Sequence, residues 1–263
     1  CHSLLPGRLL AIVGKNGVGK TQMMSRFPID LSQKKQENFE PQLPLFSKVI
    51  SVSTSLYDHC RYPDKSNEFN YEYIGLTIKD GANRRIITND EIDSKLQASC
   101  KLINAKGRAK SLRNILEEIL PETIVETLFQ KDDGKYLLNT GVVKEVRQKL
   151  SSGESTLLYL LTSVVSTLRF DTLLLFDEPE THLHPNAITT LISALYKLLE
   201  EFQSYGIVAT HSPLVVREIK SKQVRVMERF EDRSLIRKVQ QETLGANISA
   251  LVDEIFGTKD IPK

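Results

Sequence analysis

Gly14-Lys15-Asn16-Gly17-Val18-Gly19-Lys20-Thr21, GKNGVGKT, matches the pattern G-x-x-x-x-G-K-[ST] at every fixed position. It follows LLAIV (Leu9 to Val13), a short apolar run that reads as a buried parallel strand. It opens a stretch, Val18 to Phe27, that reads as a helix. Strand, glycine loop, helix is the context in which this pattern cradles phosphate. Glycines let backbone N–H groups turn inward, and the helix N-terminus adds its positive dipole end. Lys20 is then expected to reach the β- and γ-phosphates of a nucleotide, and the Thr21 hydroxyl to ligate Mg²⁺. Lys15, Asn16, Val18 and Gln22 complete the stretch expected to lie along ATP.

A nucleotide site of this kind needs carboxylates from elsewhere. FDEPETHLHP (Phe176 to Pro185) crowds Asp177, Glu178, Glu180, His182 and His184 together, all of them plausible transition-metal ligands. Taken locally, the segment decides nothing. Beside a phosphate loop its meaning changes. LLLFDE reads as a buried strand ending in an acid, so Asp177 is expected to hold Mg²⁺ brought with ATP. Glu178 is expected to act as base or orienter for an attacking water. Pro179 ends the strand, and His182 and His184 are expected to line the loop that follows.

The rest of the chain reads as alternating strands and helices. KVISVS (Lys48 to Ser53) and YEYIGLTI (Tyr71 to Ile78) read as strands, with residues 28–45 as loop. Thr88 to about Leu150 has helical spacing, Pro121 opening one helix. A helix is expected from Glu154 to Leu168, a strand over Thr172 to Phe176, and a helix from Ala187 to Phe202. Strands at Ile207 to Ala209 and Gln223 to Arg229 and a last helix, ISALVDEIF, complete the pattern of an α/β layered fold.

Composition narrows the setting. Lys and Arg number 35 against 33 Asp and Glu across 263 residues, too balanced to steer nucleic acid or membrane by net charge. Lys101, Lys106, Arg108, Lys110 and Arg113 form one basic stretch that reads as a solvated helical face or a DNA contact. Cys1, Cys60 and Cys100 are odd in number and far apart, which argues against a disulfide framework and for a reducing, cytoplasmic setting. No apolar run approaches the roughly 20 residues of a membrane span. The chain starts on Cys beside a strand, and residues before it are expected.

Two further stretches are ambiguous alone. LSSGE (Leu150 to Glu154) could be a helix N-terminus capped by Ser152, and ATHSP (Ala209 to Pro213) a turn with a surface histidine. Their order, phosphate loop then LSSGE then DEP then TH, resembles the ATP-binding-cassette ATPases. It is most similar to their soluble branch of RecF, OLD and Rad50-like proteins. The resemblance implies a P-loop NTPase of the ABC-ATPase head type. Its mostly parallel core sheet would carry helices on both faces, an antiparallel β portion and an inserted helical subdomain. It divides the chain into 1–87, core with phosphate loop; 88–140, helical lobe; and 141–263, core with signature, acidic strand and switch histidine.

The same resemblance makes Ser151, Ser152, Gly153 and Glu154 the signature that caps a γ-phosphate bound to a second copy. It makes His211 the switch histidine, with catalytic roles for Glu178, His211 and Lys20, and puts His184 and the segment Glu180 to Pro185 at the dimer seam. The expected glutamine after the second core strand is missing from VISVSTSLYD, where Ser53 or Asp58 could substitute.

VISVSTSLYD, YEYIGL, DEPETHLHP with ATHSPLVVREI, and ETLGANISALVDEIFG resemble the PtuA ATPases of Septu and retron-associated anti-phage systems. That likeness implies an ATPase whose dimer or higher oligomer controls a PtuB-like HNH nuclease, with a retron reverse transcriptase and its msDNA as further partners. The alternative is an OLD-type or RecF/Rad50-like DNA-repair ATPase. An OLD nuclease needs a further domain of about 100 residues, and Rad50-like arms need long heptads that Pro121 breaks.

Overall fold

The computed structural model describes residues 7–55, 61–63, 68–81, 83–181, 183–231 and 233–257. Its elements in chain order begin with β1 (Leu9–Val13), α1 (Lys20–Ser32), β2 (Lys48–Ser53), β3 (Tyr71–Gly75), β4 (Thr77–Asp80) and β5 (Asn83–Ile86). Then come α2 (Asn89–Ala105), α3 (Ala109–Leu116), α4 (Glu122–Leu128), β6 (Phe129–Asp132), β7 (Lys135–Leu138), α5 (Val143–Lys149) and α6 (Ser152–Thr167). The chain continues through β8 (Thr172–Asp177), α7 (Pro185–Glu201), β9 (Tyr205–Thr210), α8 (Pro213–Arg217), β10 (Val224–Phe230), β11 (Arg233–Lys238) and α9 (Ile248–Phe256).

Seven strands form one sheet in the order β11-β10-β1-β9-β8-β2-β3. All neighbours are parallel except the last hairpin, β10 with β11. Alternation along the strands sorts side chains to two faces. On one face Val49, Leu173 and Leu175 pack with Met24 and Leu31 of α1. On the other, Ile50, Val52, Leu174 and Phe176 join Ile103, Leu112, Leu157, Leu160 and Leu195 in the larger core. Both faces are thus covered by helices, as a parallel sheet requires.

Four expectations are corrected. α1 does not stop at Phe27 but runs through Pro28 to Ser32, so residues 28–32 are helix rather than loop. Pro28 removes one helical donor, but Met24, Pro28 and Leu31 are buried, and that burial offsets the loss. The run Tyr71 to Ile78 breaks at Leu76 into β3 and β4, β4 pairing with β5 in a separate hairpin. The helical stretch after Thr88 is interrupted by the β6–β7 hairpin. Asp133 (φ 44°) and Gly134 (φ 78°) make its turn; Asp-Gly between short runs is a hairpin signal. Finally, α6 is capped by Ser151, not Ser152.

The basic stretch is also reassigned. Lys106 donates to the Ser166 carbonyl at 2.7 Å, and Arg108 to the carbonyls of Val165 (2.9 Å) and Leu168 (2.7 Å). Both cations therefore close the C-terminal end of α6, where positive charge is favourable. Arg113 pairs with Glu117 and lies over the Tyr136 ring. Three of the five cations are committed to packing. Cys100 is buried in α2, and burial pushes its thiol up to about 12; Cys1 and Cys60 lie outside the described residues. No helix among the described residues is long and apolar enough to cross a membrane.

Candidate nucleotide site

The register of the parallel strands brings three strand ends together. Val13 pairs with Thr210 across β1 and β9, and Asp177 pairs with Ala209 across β8 and β9. Each strand ends at the same edge of the sheet, so the loop from Gly14, the acids at Asp177 and Glu178, and His211 meet there. Main-chain bonds tie the three: Gly14 N donates to Thr210 O at 3.3 Å, and Glu178 N to Ala209 O at 2.8 Å.

The loop itself is built for an anion. Gly17 (φ 82°) and Gly19 (φ 103°) occupy the left-handed region that side chains disfavour. At Gly14 a Cβ would lie 2.2 Å from the Met227 carbonyl of β10, so close approach alone requires glycine there. α1 begins at Lys20 with Gly19 as its N-cap and receives no side-chain cap, leaving first-turn donors for a ligand. Lys15, Asn16 and Gly17 are exposed on the rim, and so is Gln22 in the first helical turn. The Ser234 hydroxyl of β11 donates to the Val18 carbonyl at 2.8 Å and fixes the loop from outside.

Lys20 is 4% exposed and donates to the carbonyls of Gly14 (2.8 Å) and Lys15 (3.1 Å). Burial pushes its ammonium below the ordinary value, and the charges of Glu178, Asp177 and Glu180 pull it back up. The lysine is thus held over its own loop and faces all three acids. Asp177 is buried at the end of β8. Glu178 sits in the left-handed region (φ 47°), a placement that costs about 1–3 kcal/mol and recurs at functional sites. Its carboxylate oxygen lies 3.3 Å from His211 Nδ1.

Sequence reasoning overlooked Thr54 and did not give the direction of the Glu180 side chain. Thr54 follows β2 and donates its hydroxyl to the Glu178 carbonyl at 2.6 Å, beside Ser53, which pairs with Asp177 across β2 and β8. Asp58 lies outside the described residues, and nothing in the local pattern singled Thr54 out. Glu180 turns inward, 7% exposed, where its Oε1 accepts from the Thr210 hydroxyl at 2.5 Å and from His211 N at 3.1 Å. His184 is exposed, and His182 lies outside the described residues. Among the described residues no three His, Cys, Asp or Glu side chains converge as a metal cluster.

The segment Ser151 to Glu154 stands apart from this convergence. Glu154 N bonds to Ser151 Oγ (3.3 Å), and Ser151 N to Glu154 Oε2 (2.9 Å), a capping box that opens α6. Gly153 is buried and the Ser152 side chain exposed. Beside it a cleft of about 510 Å³ is lined by Asp93, Lys144, Arg147 and Ser155 as well as Ser152. No residue of the phosphate loop lines the cleft.

Residues 65–217 match the family model described as "AAA domain, putative AbiEii toxin, Type IV TA system". The chain belongs to this AAA family. The matched span takes in Ser151 to Glu154, Asp177, Glu178 and His211, and the phosphate loop lies before it. As an AAA-type P-loop ATPase domain, the chain is 28% identical to protein ea59 of Escherichia phage lambda over 292 aligned positions. That alignment covers 97% of this chain and 55% of ea59. A second relative, "Retron Vc95 probable ATPase" of Vibrio cholerae serotype O1 biovar El Tor, is 28% identical over 111 residues, 38% of this chain and 21% of that protein. The AAA domain thus spans about half the length of the phage relative. The SMC head domain from Thermotoga maritima superposes with a TM-score of 0.41 at 13% identity, over 90% of this chain and 92% of that one.

Proposed function

We propose that this AAA domain binds and hydrolyses ATP and that ATP-dependent pairing of two copies controls an associated effector in anti-phage defence. The observation that carries the reading is the meeting, at one sheet edge, of the Gly14–Thr21 loop, Asp177, Glu178 and His211. The defence role draws on the retron ATPase relative, and an HNH nuclease of the PtuB kind is the effector we favour.

Phosphates would rest on the backbone donors of Gly17 to Thr21, with Lys20 supplying charge to the terminal group. Thr21 and Asp177 would hold Mg²⁺, which neutralises charge developing on the transferring phosphoryl group. The fit rests on an uncapped helix start, two left-handed glycines and a buried acid facing Lys20. Glu178 would orient and deprotonate the attacking water. Its carbonyl is held by Thr54, so its side chain can move while its backbone stays. Ser152, exposed at the start of α6, would reach the γ-phosphate on the partner subunit. Closure of the pair makes ATP a switch for whatever is docked outside.

Glu178→Gln should trap an ATP-bound dimer, measured by light scattering with and without ATP·Mg²⁺, while Ser152→Arg should abolish both dimer and turnover. A Glu178→Gln protein that stays monomeric in ATP, together with a fully active Ser152→Arg protein, would overturn the paired-head reading.

A further inference from the structure

Glu180 has no assigned part in the reaction, yet only 5% of its side chain is exposed. Burial pushes its pKa up. Desolvating a carboxylate is costly unless it works for the surrounding structure. Three contacts fall on one oxygen. Oε1 accepts from the Thr210 hydroxyl at 2.5 Å and from the His211 backbone N–H at 3.1 Å, and it lies 3.4 Å from His211 Nδ1. The other oxygen, Oε2, is buried and has no hydrogen-bond partner among the described residues.

The neighbours extend the effect. Thr210, whose hydroxyl points to Glu180, accepts from Ser212 N at 2.9 Å, and Ser212 Oγ in turn caps α8 through Leu214 N. Thr210, His211 and Ser212 are therefore held in series from a single carboxylate. On the far side the chain is turned by bonds from Thr181 N to Glu178 O (3.1 Å) and Leu183 N to Glu180 O (3.0 Å). Those main-chain bonds fix the backbone that carries Glu180, and its side chain cannot swing out without giving up the Oε1 contacts to Thr210 and His211.

His211 Nδ1 thus has two carboxylate neighbours of different character: Glu178 at 3.3 Å with 27% of its side chain exposed, and Glu180 at 3.4 Å with 5%. One can leave and the other cannot. We propose that Glu180 is the positioning residue of His211: it anchors the Nδ1 side of the ring and the backbone beneath it, so that Nε2 stays aimed at the nucleotide when Glu178 turns to the attacking water. The proposal rests on the ATPase reading for its consequence on turnover, but not for the geometry of the ring.

The test has two arms. In the first, steady-state ATPase and nucleotide affinity are measured for Glu180→Ala, Glu180→Gln, His211→Ala and the Glu180→Ala/His211→Ala pair. Glu180→Ala should lower kcat by roughly tenfold to a hundredfold, the usual cost of losing a group that orients a working ligand, with ATP affinity within about twofold. Glu180→Gln, which keeps an accepting Oε1, should recover part of that loss. The double variant should be no slower than His211→Ala alone, because residues acting as a unit are not additive. Additive losses, or wild-type turnover in Glu180→Ala, overturn the proposal.

The second arm needs no hydrolysis. The chain has five histidines, and the His211→Ala spectrum identifies the His211 imidazole nitrogens by subtraction. The hydrogen should stay on Nδ1 in Glu178→Ala and be redistributed in Glu178→Ala/Glu180→Gln. Loss of the Nδ1–H form in Glu178→Ala alone would show Glu178 to be the anchor and refute the assignment. If no variant hydrolyses ATP but the nitrogen shifts behave as expected, the ATPase reading fails while the positioning of His211 by Glu180 stands.

Discussion

Thr54 shows how much a single hydroxyl can decide. It is 1% exposed, and its one donor goes to the carbonyl of a residue held at φ 47°. Valine has nearly the same shape, so Thr54→Val removes the hydrogen bond without opening a cavity. We expect a stability loss of about 1 kcal/mol, the ordinary net worth of such a bond. We also expect kcat to fall roughly tenfold, equivalent to about 1.4 kcal/mol in the barrier, with ATP affinity unchanged. Urea unfolding and steady-state kinetics check both; unaltered kcat would mean that Glu178 is placed by its strand alone. Thr54 could not be seen in the sequence because it sits among other small hydroxyl residues, Ser51, Ser53 and Ser55, of which only the fold selects one. Glu180 was visible, but its direction was not. Whether a side chain after a strand-ending proline faces inward depends on Thr210, thirty residues later.

The elements obey local chemistry more openly. GKNGVGKT between an apolar run and a helix, LLLFDE, and a helix starting near Asn89 could all be read directly, while the Thr88 cap of α2 comes from the structure. The β6–β7 hairpin was signalled by Asp133-Gly134 but lost among helical spacings on either side. α1 outran its expected end because burial of Pro28 is a tertiary fact. The segment joining β11 to α9 carries a pH-dependent tie. Glu242 accepts from the backbone N–H groups of Leu244 (3.0 Å), Ser221 (2.9 Å) and Thr243 (2.9 Å) and from the Ser221 hydroxyl (3.1 Å). These bonds, the Leu244 N–H first, hold its carboxyl down to about 2 from the ordinary 4.5. Because the folded value is the lower one, the tie contributes fully above pH 4.5 and is lost as pH falls towards 2. Glu242→Gln should therefore flatten the dependence of stability on pH between 4.5 and 2, followed by thermal unfolding across that window. A variant that tracks the parent at every pH would show the tie to be idle.

For the molecule as a whole, a ligand that binds only the folded chain must raise its stability. At a hundredfold excess over Kd, ATP·Mg²⁺ should add about 2.7 kcal/mol, or a rise in Tm on the order of 5–10 °C for a chain of this size. Lys20→Ala should melt at nearly one temperature with or without nucleotide, and an undiminished shift in that variant would place ATP elsewhere. The same wholeness has a consequence in time. Val18 is fixed by Ser234, 216 positions later in the chain, and β1 lies between β9 and β10, both from the last quarter of the sequence. A ribosome adding about 5–20 residues per second needs roughly 10 to 40 s to travel from one to the other. For most of that interval β1 and the glycine loop have been made while β9 and β10 have not. Until they follow, β1 lacks both of its neighbours in the sheet and the glycine loop lacks the strands that frame it.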